Sequence, residues 1–298
     1  MEMDLANLPR RRGLPLGSGG GRLGVASLGR GTGAAPSRDM AHFRELGTLS
    51  IDAIGERRVR AYVPTRRDDD GPPPVLILFD GQNVFGDEGS FSGGWHVHEA
   101  VQARADAGLP SPVVVAIDHG NALRVDELGP YPCDHGGGRL RYLMRAIATQ
   151  LVPRVTAELG AASGPENTVL GGSSMGGLAA LFGHLTRPDV FGGALAMSPA
   201  LWFADHCLLR TAEEVVLAPD ARVYLDAGWR EGSTAMLEDV RSLAARLRER
   251  GLRDLRVVED VHGGHCEAAW RSRFPAALDL LFPARAAMTE LPQASAAE

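Results

Sequence analysis

Long apolar runs are missing from this chain of 298 residues, and so are the motifs of several common ligand sites. No stretch approaches the ~20 apolar residues that a membrane helix needs, and the first residues lack the apolar core of a secretory signal. The patterns HExxH, CxxC and GxxxxGK[ST] do not occur, so neither a metal nor a nucleotide cofactor is expected. These absences predict a cytoplasmic protein that does not enter a membrane.

Cysteine and an excess of positive charge are also lacking. Three cysteines, Cys133, Cys207 and Cys266, are too few and too far apart for a disulfide scaffold or a zinc site, which fits a reducing compartment. The formal net charge of -6 argues against a nucleic-acid partner, because phosphate binding needs a basic face. We therefore expect a small-molecule partner and no nucleic acid, while the oligomeric state stays open.

The two ends of the chain differ in composition from its middle. Residues 1–39 are rich in Gly, Arg, Pro and Ser without a periodic apolar pattern, which predicts a disordered tail. Met40 opens a segment typical of folded protein, so it is a candidate start of translation, with the first 39 residues lying upstream of it. Residues 284–298 are small and polar and are predicted to be flexible. The remaining residues, 40–283, are predicted to form one domain.

Within that domain, strand-like and helix-like segments alternate. Residues 46–53 and 58–63 have the period-two pattern of an antiparallel pair joined by a glycine-containing turn. Further strands are predicted over 75–79, 113–117, 168–170, 194–197, 222–225 and 255–258. Helices are predicted over 139–159, 178–185, 237–250 and around Trp270 and Phe274. This alternation predicts an α/β fold with a mostly parallel central sheet, antiparallel N-terminal strands and helices on both faces.

A GxSxG pattern lies between a predicted strand and a predicted helix. It comprises Gly172, Ser173, Ser174, Met175 and Gly176. This is the layout of a nucleophile elbow, in which flanking glycines allow the tight turn that exposes the serine hydroxyl. Ser173 cannot be the central serine, because that frame needs glycine at position 175. Ser174 is therefore the candidate nucleophile.

The loop after the predicted strand 75–79 is the candidate source of an oxyanion donor. In parallel sheets, site residues gather at the carboxyl ends of the strands. Asp80, Gly81 and Gln82 follow this strand, and a glycine here lets the backbone turn an amide toward a reacting carbonyl. We predict that the N–H of Gln82 and the N–H of Met175 form the oxyanion hole. A plain Asp-Gly turn is the alternative.

A general base and a carboxylate are expected late in the chain, after the last two strands. His265 follows the final strand and two glycines, and it is the preferred base over its rival, His262. For the acid, Asp226 and Glu231 both follow the strand 222–225. Glu231 is preferred because it lies further into the loop, where it can reach the histidine.

Taken together, six segments resemble the esterase D and enterochelin-esterase-like branch of the α/β-hydrolases, whose relatives include feruloyl esterases and mycolyltransferases. They are LFDGQNVF (78–85), GGW (93–95), RVDELGP (124–130), GGSSMGGL (171–178), DAGWREG (226–232) and HCEAAW (265–270). The resemblance implies the α/β-hydrolase fold and a triad of Ser174, His265 and Glu231, with Gln82 and Met175 as oxyanion donors.

The resemblance also implies that Arg124 and Glu127 belong to a loop near the cleft, although relatives carry tyrosine where this chain has Leu128. Trp95 is a candidate wall of the substrate pocket, as are Trp202 and Trp229, and packing in the core is the alternative for all three. The predicted function is a serine carboxylesterase that acts through an acyl-enzyme on a small or medium ester. Acyl transfer, thioester hydrolysis and a catalytically silent binding protein are the alternatives.

Overall fold

The computed structural model of this chain describes residues 42–66, 70–88, 90, 93–218 and 220–284. The predicted tails, residues 1–39 and 284–298, lie outside the described residues apart from Ala284. The predicted domain, 40–283, contains nearly all of the described chain.

One sheet runs through the described residues, and it has eight strands. They are β1 (His42–Ile51), β2 (Gly55–Val63), β3 (Val75–Leu78), β4 (Val113–Ile117), β5 (Thr168–Ser173), β6 (Gly193–Met197), β7 (Arg222–Gly228) and β8 (Asp254–Asp260). Their spatial order is β1-β2-β4-β3-β5-β6-β7-β8. The first two strands pair antiparallel with their neighbours, and all the others pair parallel. The carboxyl ends of β3 to β8 therefore share one edge.

The strands form where apolar residues run together. β3 and β4 contain only apolar residues and are buried along their whole length, as expected for parallel strands covered on both faces. β1 alternates buried and exposed positions toward its end, where only one side of the edge strand meets the core. Every predicted strand is present, and only the boundaries differ.

Eight α-helices accompany the sheet in the described part of the chain. They are α1 (Val97–Asp106), α2 (Arg124–Leu128), α3 (Leu140–Ala146), α4 (Val152–Leu159), α5 (Met175–Thr186), α6 (Phe203–Glu214), α7 (Ala235–Glu249) and α8 (Glu267–Leu281). The buried side chains of α1 and α8 form one apolar cluster with one face of the sheet. Those of α3 to α7 form a second, larger cluster with the other face. Helices thus cover both faces, as predicted.

The helices differ from the sequence prediction in several places. The single helix expected over 139–159 is interrupted by a π-helical turn, Ile147–Leu151, that separates α3 from α4. Helices α1 and α6 were not predicted, because neither carries a clear apolar stripe at helical spacing. Among the described residues, no helix is both long and apolar enough to cross a membrane.

Candidate active site

Ser174 lies at the turn between β5 and α5, in a backbone conformation that non-glycine residues rarely adopt. Its φ is 54° and its ψ is -121°. The turn is held on both sides, because Ser174 N donates to Met197 O at 2.9 Å and Ala200 N donates to Ser174 O at 3.0 Å. Such strain persists only where surrounding structure enforces it. Ser174 therefore occupies a strained turn between a strand and a helix.

The flanking glycines are required by close packing. A Cβ on Gly172 would lie 2.7 Å from the carbonyl carbon of Gly176, and a Cβ on Gly176 would lie 2.9 Å from Asp80 Oδ2. Both distances are shorter than any ordinary carbon contact. The strand, the helix and the loop after β3 therefore approach one another more closely than side chains would allow.

The two predicted oxyanion donors belong to neighbouring elements. Met175 is the first residue of α5, where backbone N–H groups have no partner within the helix. Gln82 lies in a single 3-10 turn, Gly81–Asn83, directly after β3. Within the described residues, neither amide donates a hydrogen bond to the protein. Both are therefore free to bind a negatively charged oxygen.

Contacts with neighbouring residues fix the direction of the backbone N–H of Gln82. Arg60 Nη2 donates to Gly81 O at 2.8 Å, and because a trans peptide points its N–H opposite its C=O, the Gln82 N–H points away from Arg60. The Gln82 side chain also exchanges two hydrogen bonds with the backbone of His119, of 2.8 and 3.1 Å. This loop is anchored to β2 and to the end of β4.

Glu231 and His265 lie together on the loops that follow β7 and β8. Glu231 Oε2 is 3.0 Å from His265 Nδ1, and the Glu231 side chain has no exposed surface. Burial raises the pKa of Glu231, but hydrogen bonds from His265, from Ser198 and from the Gly228 N–H outweigh it, so the pKa lies below its ordinary value. The carboxylate is therefore ionised and faces the imidazole.

Asp226, the alternative acid, has other partners. It is buried at the end of β7 and accepts hydrogen bonds from Arg273 Nε at 2.8 Å and from Ser198 N at 2.9 Å. Burial raises the pKa of Asp226 to about 6, and the Arg273 guanidinium opposes that rise. Asp226 anchors α8 to the sheet and does not contact His265 in the described structure.

His262, the alternative base, is exposed and lies 3.4 Å from Arg230 Nη2. Gly263, which lies between His262 and His265, is closely packed. A Cβ on Gly263 would lie 2.6 Å from Asp260 Oδ2, and a Cβ on Gly228 would collide with the Gly263 backbone. Gly263 is thus required by the close packing of the two loops.

The nucleophile candidate and the acid–base pair lie at the ends of β5, β7 and β8, along the same edge of the sheet. In the described residues, no hydrogen bond joins Ser174 Oγ to His265. Hydrogen bonds between catalytic groups often form only when substrate binds.

Arg124 and Glu127, expected near the cleft, are both engaged in ion pairs. Arg124 binds Asp80 through two hydrogen bonds of 2.6 and 2.8 Å, which holds the turn before Gln82. Glu127 is 2% exposed and accepts hydrogen bonds from Arg57 Nε at 3.0 Å and from Gly120 N at 3.2 Å. These contacts support the loops around the site.

The three candidate tryptophans have different environments. Trp95 is 4% exposed and packs on Trp270 and Phe274, so it belongs to the core and is not a wall of the cleft. Trp202 and Trp229 are about half exposed. Trp202 borders a cavity of about 510 Å³ together with Tyr131 and His135.

Trp202, which lines this cavity, is close in sequence to Ala200, whose N–H donates to Ser174 O. A larger cavity of about 850 Å³ lies at the opposite edge of the sheet, where Asn167 precedes β5 and Arg222 begins β7. Because the predicted site is at the carboxyl ends of the strands, the larger cavity lies away from it.

Two residues that the sequence analysis did not single out connect this site to the core. Ser198 follows β6 directly and contacts Glu231, while Arg273 lies on α8 and contacts Asp226. The rule that site residues follow parallel strands could have indicated Ser198. No short-range pattern marks Arg273, because its partners are 47 and 75 residues away in sequence.

Comparison with known proteins gives a family match and several relatives. The Esterase family model, described as "Putative esterase", matches residues 52–281. The iron(III) salmochelin esterase of Escherichia coli O6:H1 is 29% identical over 79% of this chain and 57% of its own length. The iron(III) enterobactin esterase of Dickeya dadantii is 28% identical over 69% of this chain and 48% of its own length. This chain thus spans about half the length of these two esterases.

A Bacillus subtilis protein, the uncharacterized YbbA, is 26% identical over 79% of this chain and 96% of its own length. Among solved structures, the enterobactin esterase of Shigella flexneri, crystallised with 2,3-dihydroxy-N-benzoyl-glycine, has a TM-score of 0.62 and 25% identity, covering 82% of this chain and 60% of that one. The BES protein of Bacillus cereus has a TM-score of 0.67 at 18% identity, covering 86% and 98%, and supports the fold alone. The predicted α/β-hydrolase fold is confirmed.

Proposed function

Because this chain belongs to the Esterase family, we propose that it is a carboxylic-ester hydrolase that works through a serine acyl-enzyme. The observation that carries the proposal is the contact between Glu231 Oε2 and His265 Nδ1, at the same sheet edge as the strained Ser174. A carboxylate at Nδ1 fixes the proton there and leaves Nε2 as the basic nitrogen. This is the arrangement that an otherwise weak serine nucleophile requires.

In the proposed first half-reaction, Ser174 Oγ attacks the ester carbonyl carbon and its proton passes to His265 Nε2. The carbonyl oxygen becomes negatively charged and accepts hydrogen bonds from the N–H groups of Met175 and Gln82. The C–O bond to the alcohol then breaks, and the alcohol leaves with the proton from Nε2. Glu231 stabilises the imidazolium that exists between these two proton transfers.

In the second half-reaction, water attacks the acyl-enzyme while His265 Nε2 takes its proton. The oxyanion forms again at the same two amides, and its collapse breaks the bond to Ser174 Oγ, which recovers the proton. The carboxylic acid is released. Each half-reaction therefore uses the same base and the same oxyanion hole.

The proposed substrate is a small or medium carboxylic ester that enters beside the exposed Trp202 and Tyr131. These aromatic side chains provide flat apolar surface for an acyl or alcohol group. The names of the relatives make siderophore esters the first natural compounds to test after model esters.

The experiment is hydrolysis of p-nitrophenyl acetate and butyrate, with labelling by a fluorophosphonate in parallel. The wild type is expected to hydrolyse both esters and to be labelled, and Ser174→Ala is expected to lose both properties. Ser173→Ala is the matched control, because it changes the adjacent serine in β5 and should still be labelled. A Ser174→Ala protein that remains folded and labelled would refute the assignment.

A further inference from the structure

Ser198 lies in the interior of the molecule between the acid–base pair and α8. It directly follows β6, has no exposed surface and has a positive φ of 44°. Its backbone N–H is taken by Asp226, at 3.0 Å from the carbonyl and 2.9 Å from Oδ1. The backbone is thus fixed to β7, and the side chain has a defined position.

The hydroxyl of Ser198 makes three hydrogen bonds. Trp270 Nε1 lies 2.9 Å from Ser198 Oγ and Arg273 Nη2 lies 3.2 Å from it, and both of these nitrogens are donors only. The third neighbour is Glu231 Oε1, at 2.6 Å. Because both lone-pair positions of the hydroxyl accept hydrogen bonds, its one proton must point to the carboxylate.

We propose that Ser198 is a positioning residue that acts through Glu231, holding Oε1 so that Oε2 is directed at His265 Nδ1. The inference rests on the proposed function, since it concerns the acid–base pair of that mechanism. Glu231 Oε1 has a second anchor in the Gly228 N–H, at 2.6 Å. With two donors on Oε1, the carboxylate cannot rotate away from the imidazole without losing both.

The orientation of the Ser198 hydroxyl is enforced from α8. Arg273 Nε and Nη2 bind Asp226, its Nη1 lies 3.1 Å from Asp260 Oδ2, and the remaining proton of Nη2 points to Ser198. The guanidinium is 6% exposed and cannot move without breaking these contacts. Arg273 Nη2 is also 3.9 Å from Glu231 Oε1, so its positive charge adds to the stabilisation of the carboxylate.

Trp270 links the same hydroxyl to the base. Its ring stands edge-on to the His265 imidazole, with centroids 5.0 Å apart and planes at 84°. The indole therefore packs against His265 and donates its N–H to Ser198. One buried hydroxyl thus connects the groups that orient both members of the acid–base pair.

The test is a double-mutant cycle with Ser198→Ala and Glu231→Gln, measured by the kcat and KM of p-nitrophenyl butyrate hydrolysis. With Glu231 present, Ser198→Ala is expected to lower kcat by about 10- to 100-fold, the effect of losing a hydrogen bond to a charged group, with KM changed less than about twofold. In the Glu231→Gln background the same substitution should change kcat by less than about twofold, because the carboxylate it positions is gone. The acidic limb of kcat/KM should move to lower pH in Ser198→Ala, since a carboxylate that is no longer held at Nδ1 stabilises the protonated imidazole less.

Ser272→Ala is the matched control, because Ser272 is exposed on the same helix and bonds only the backbone of Ala269. Ser198→Cys retains the side-chain shape with a weaker donor and should give an intermediate kcat, which keeps the test available if Ser198→Ala unfolds. Equal losses of kcat in both backgrounds, or an unchanged acidic limb, would overturn the inference. Wild-type turnover and labelling of Ser174 decide the proposed function separately.

Discussion

Ser174 and Ser198 both have positive φ values, and both lie directly after a parallel strand. A left-handed backbone at a residue with a Cβ is unfavourable by ~1–2 kcal/mol. In each case a hydrogen bond to the neighbouring strand holds the conformation: Ser174 N donates to Met197 O, and Ser198 N donates to Asp226 O. The strain turns each side chain off the strand axis and toward the edge where Glu231 and His265 lie.

At the same scale, Glu231→Gln is expected to lower kcat by about 10²- to 10⁴-fold. The amide keeps the size of the side chain but removes the negative charge that stabilises the imidazolium. Proton transfer to His265 therefore becomes less favourable. Steady-state hydrolysis of p-nitrophenyl butyrate measures the effect. Glu259→Gln, which changes an exposed glutamate paired with Arg241, is the control and should retain wild-type kcat.

Because the pKa of Glu231 is lowered, the loss of unfolding free energy caused by Glu231→Gln is expected to depend on pH. A carboxyl whose folded pKa lies below its unfolded value of 4.5 stabilises the fold above that pH, and the stabilisation is lost as pH falls through the folded pKa. The difference in unfolding free energy between wild type and Glu231→Gln should therefore shrink as pH falls below 4.5. Urea unfolding at several pH values measures it, and a constant difference would contradict the role of the charge.

The sequence predicted Ser174, because the elbow is a local pattern in which five consecutive residues define one turn. For the acid, the sequence favoured Glu231 but kept Asp226 as the alternative, since both follow the predicted strand 222–225 and precede His265. In the structure Asp226 binds Arg273, which is 47 residues away in sequence, while Glu231 contacts His265. A contact of that sequence separation leaves no trace in local residue patterns.

At the scale of elements, α8 connects the sheet to both members of the acid–base pair. Its first turn approaches the loop after β3, where Asn83 Nδ2 donates to Glu267 Oε1 at 3.0 Å. One turn further, Arg273 binds the ends of β7 and β8 through Asp226 and Asp260. The helix was predicted from its aromatic residues, but its role in fixing the site was not, because charged residues on a helix are normally assigned to the solvent face.

Replacing this arginine is expected to destabilise the fold. Arg273→Met leaves Asp226 buried without its counter-ion, which should lower the unfolding free energy by about 3–5 kcal/mol. Urea denaturation followed by fluorescence measures the loss. Arg241→Met is the control, because the Arg241–Glu259 pair is exposed and exposed pairs contribute only about 0–1 kcal/mol. Similar losses for the two variants would contradict the assignment of Arg273 as an internal anchor.

At the scale of the whole molecule, the sheet was predictable because its strands are short apolar runs that alternate with helical segments. The order of the strands was not, since β3 lies between β4 and β5 and no local pattern specifies such a crossover. The kinked start of α6 was equally unpredictable. Ala204, Asp205 and His206 all have left-handed conformations there, and consecutive left-handed residues are rare for residues with a Cβ.

The domain limits remain a proposal, and they can be tested by shortening the chain. Residues 40–284 contain every described strand and helix as well as the whole family match. A protein of these residues is expected to keep its Tm within about 2 °C and its kcat/KM within about twofold, because the removed segments have no periodic apolar pattern from which to build a core. A deletion through residue 51 is the contrasting variant, since it removes β1 and the buried Leu49 and should lower the Tm.

The loops after β7 and β8 remain paired beyond the strands, where Trp229 N donates to Asp260 O and Arg230 N donates to Gly263 O, both at 2.9 Å. The loops after β3 and β4 instead reach the cleft from the other side of the elbow. Residues 131–135, which border the smaller cavity, could therefore be varied to seek new substrates while Glu231 and His265 are left unchanged. Substitutions on that side of the cleft therefore need no compensating changes in the loops after β7 and β8.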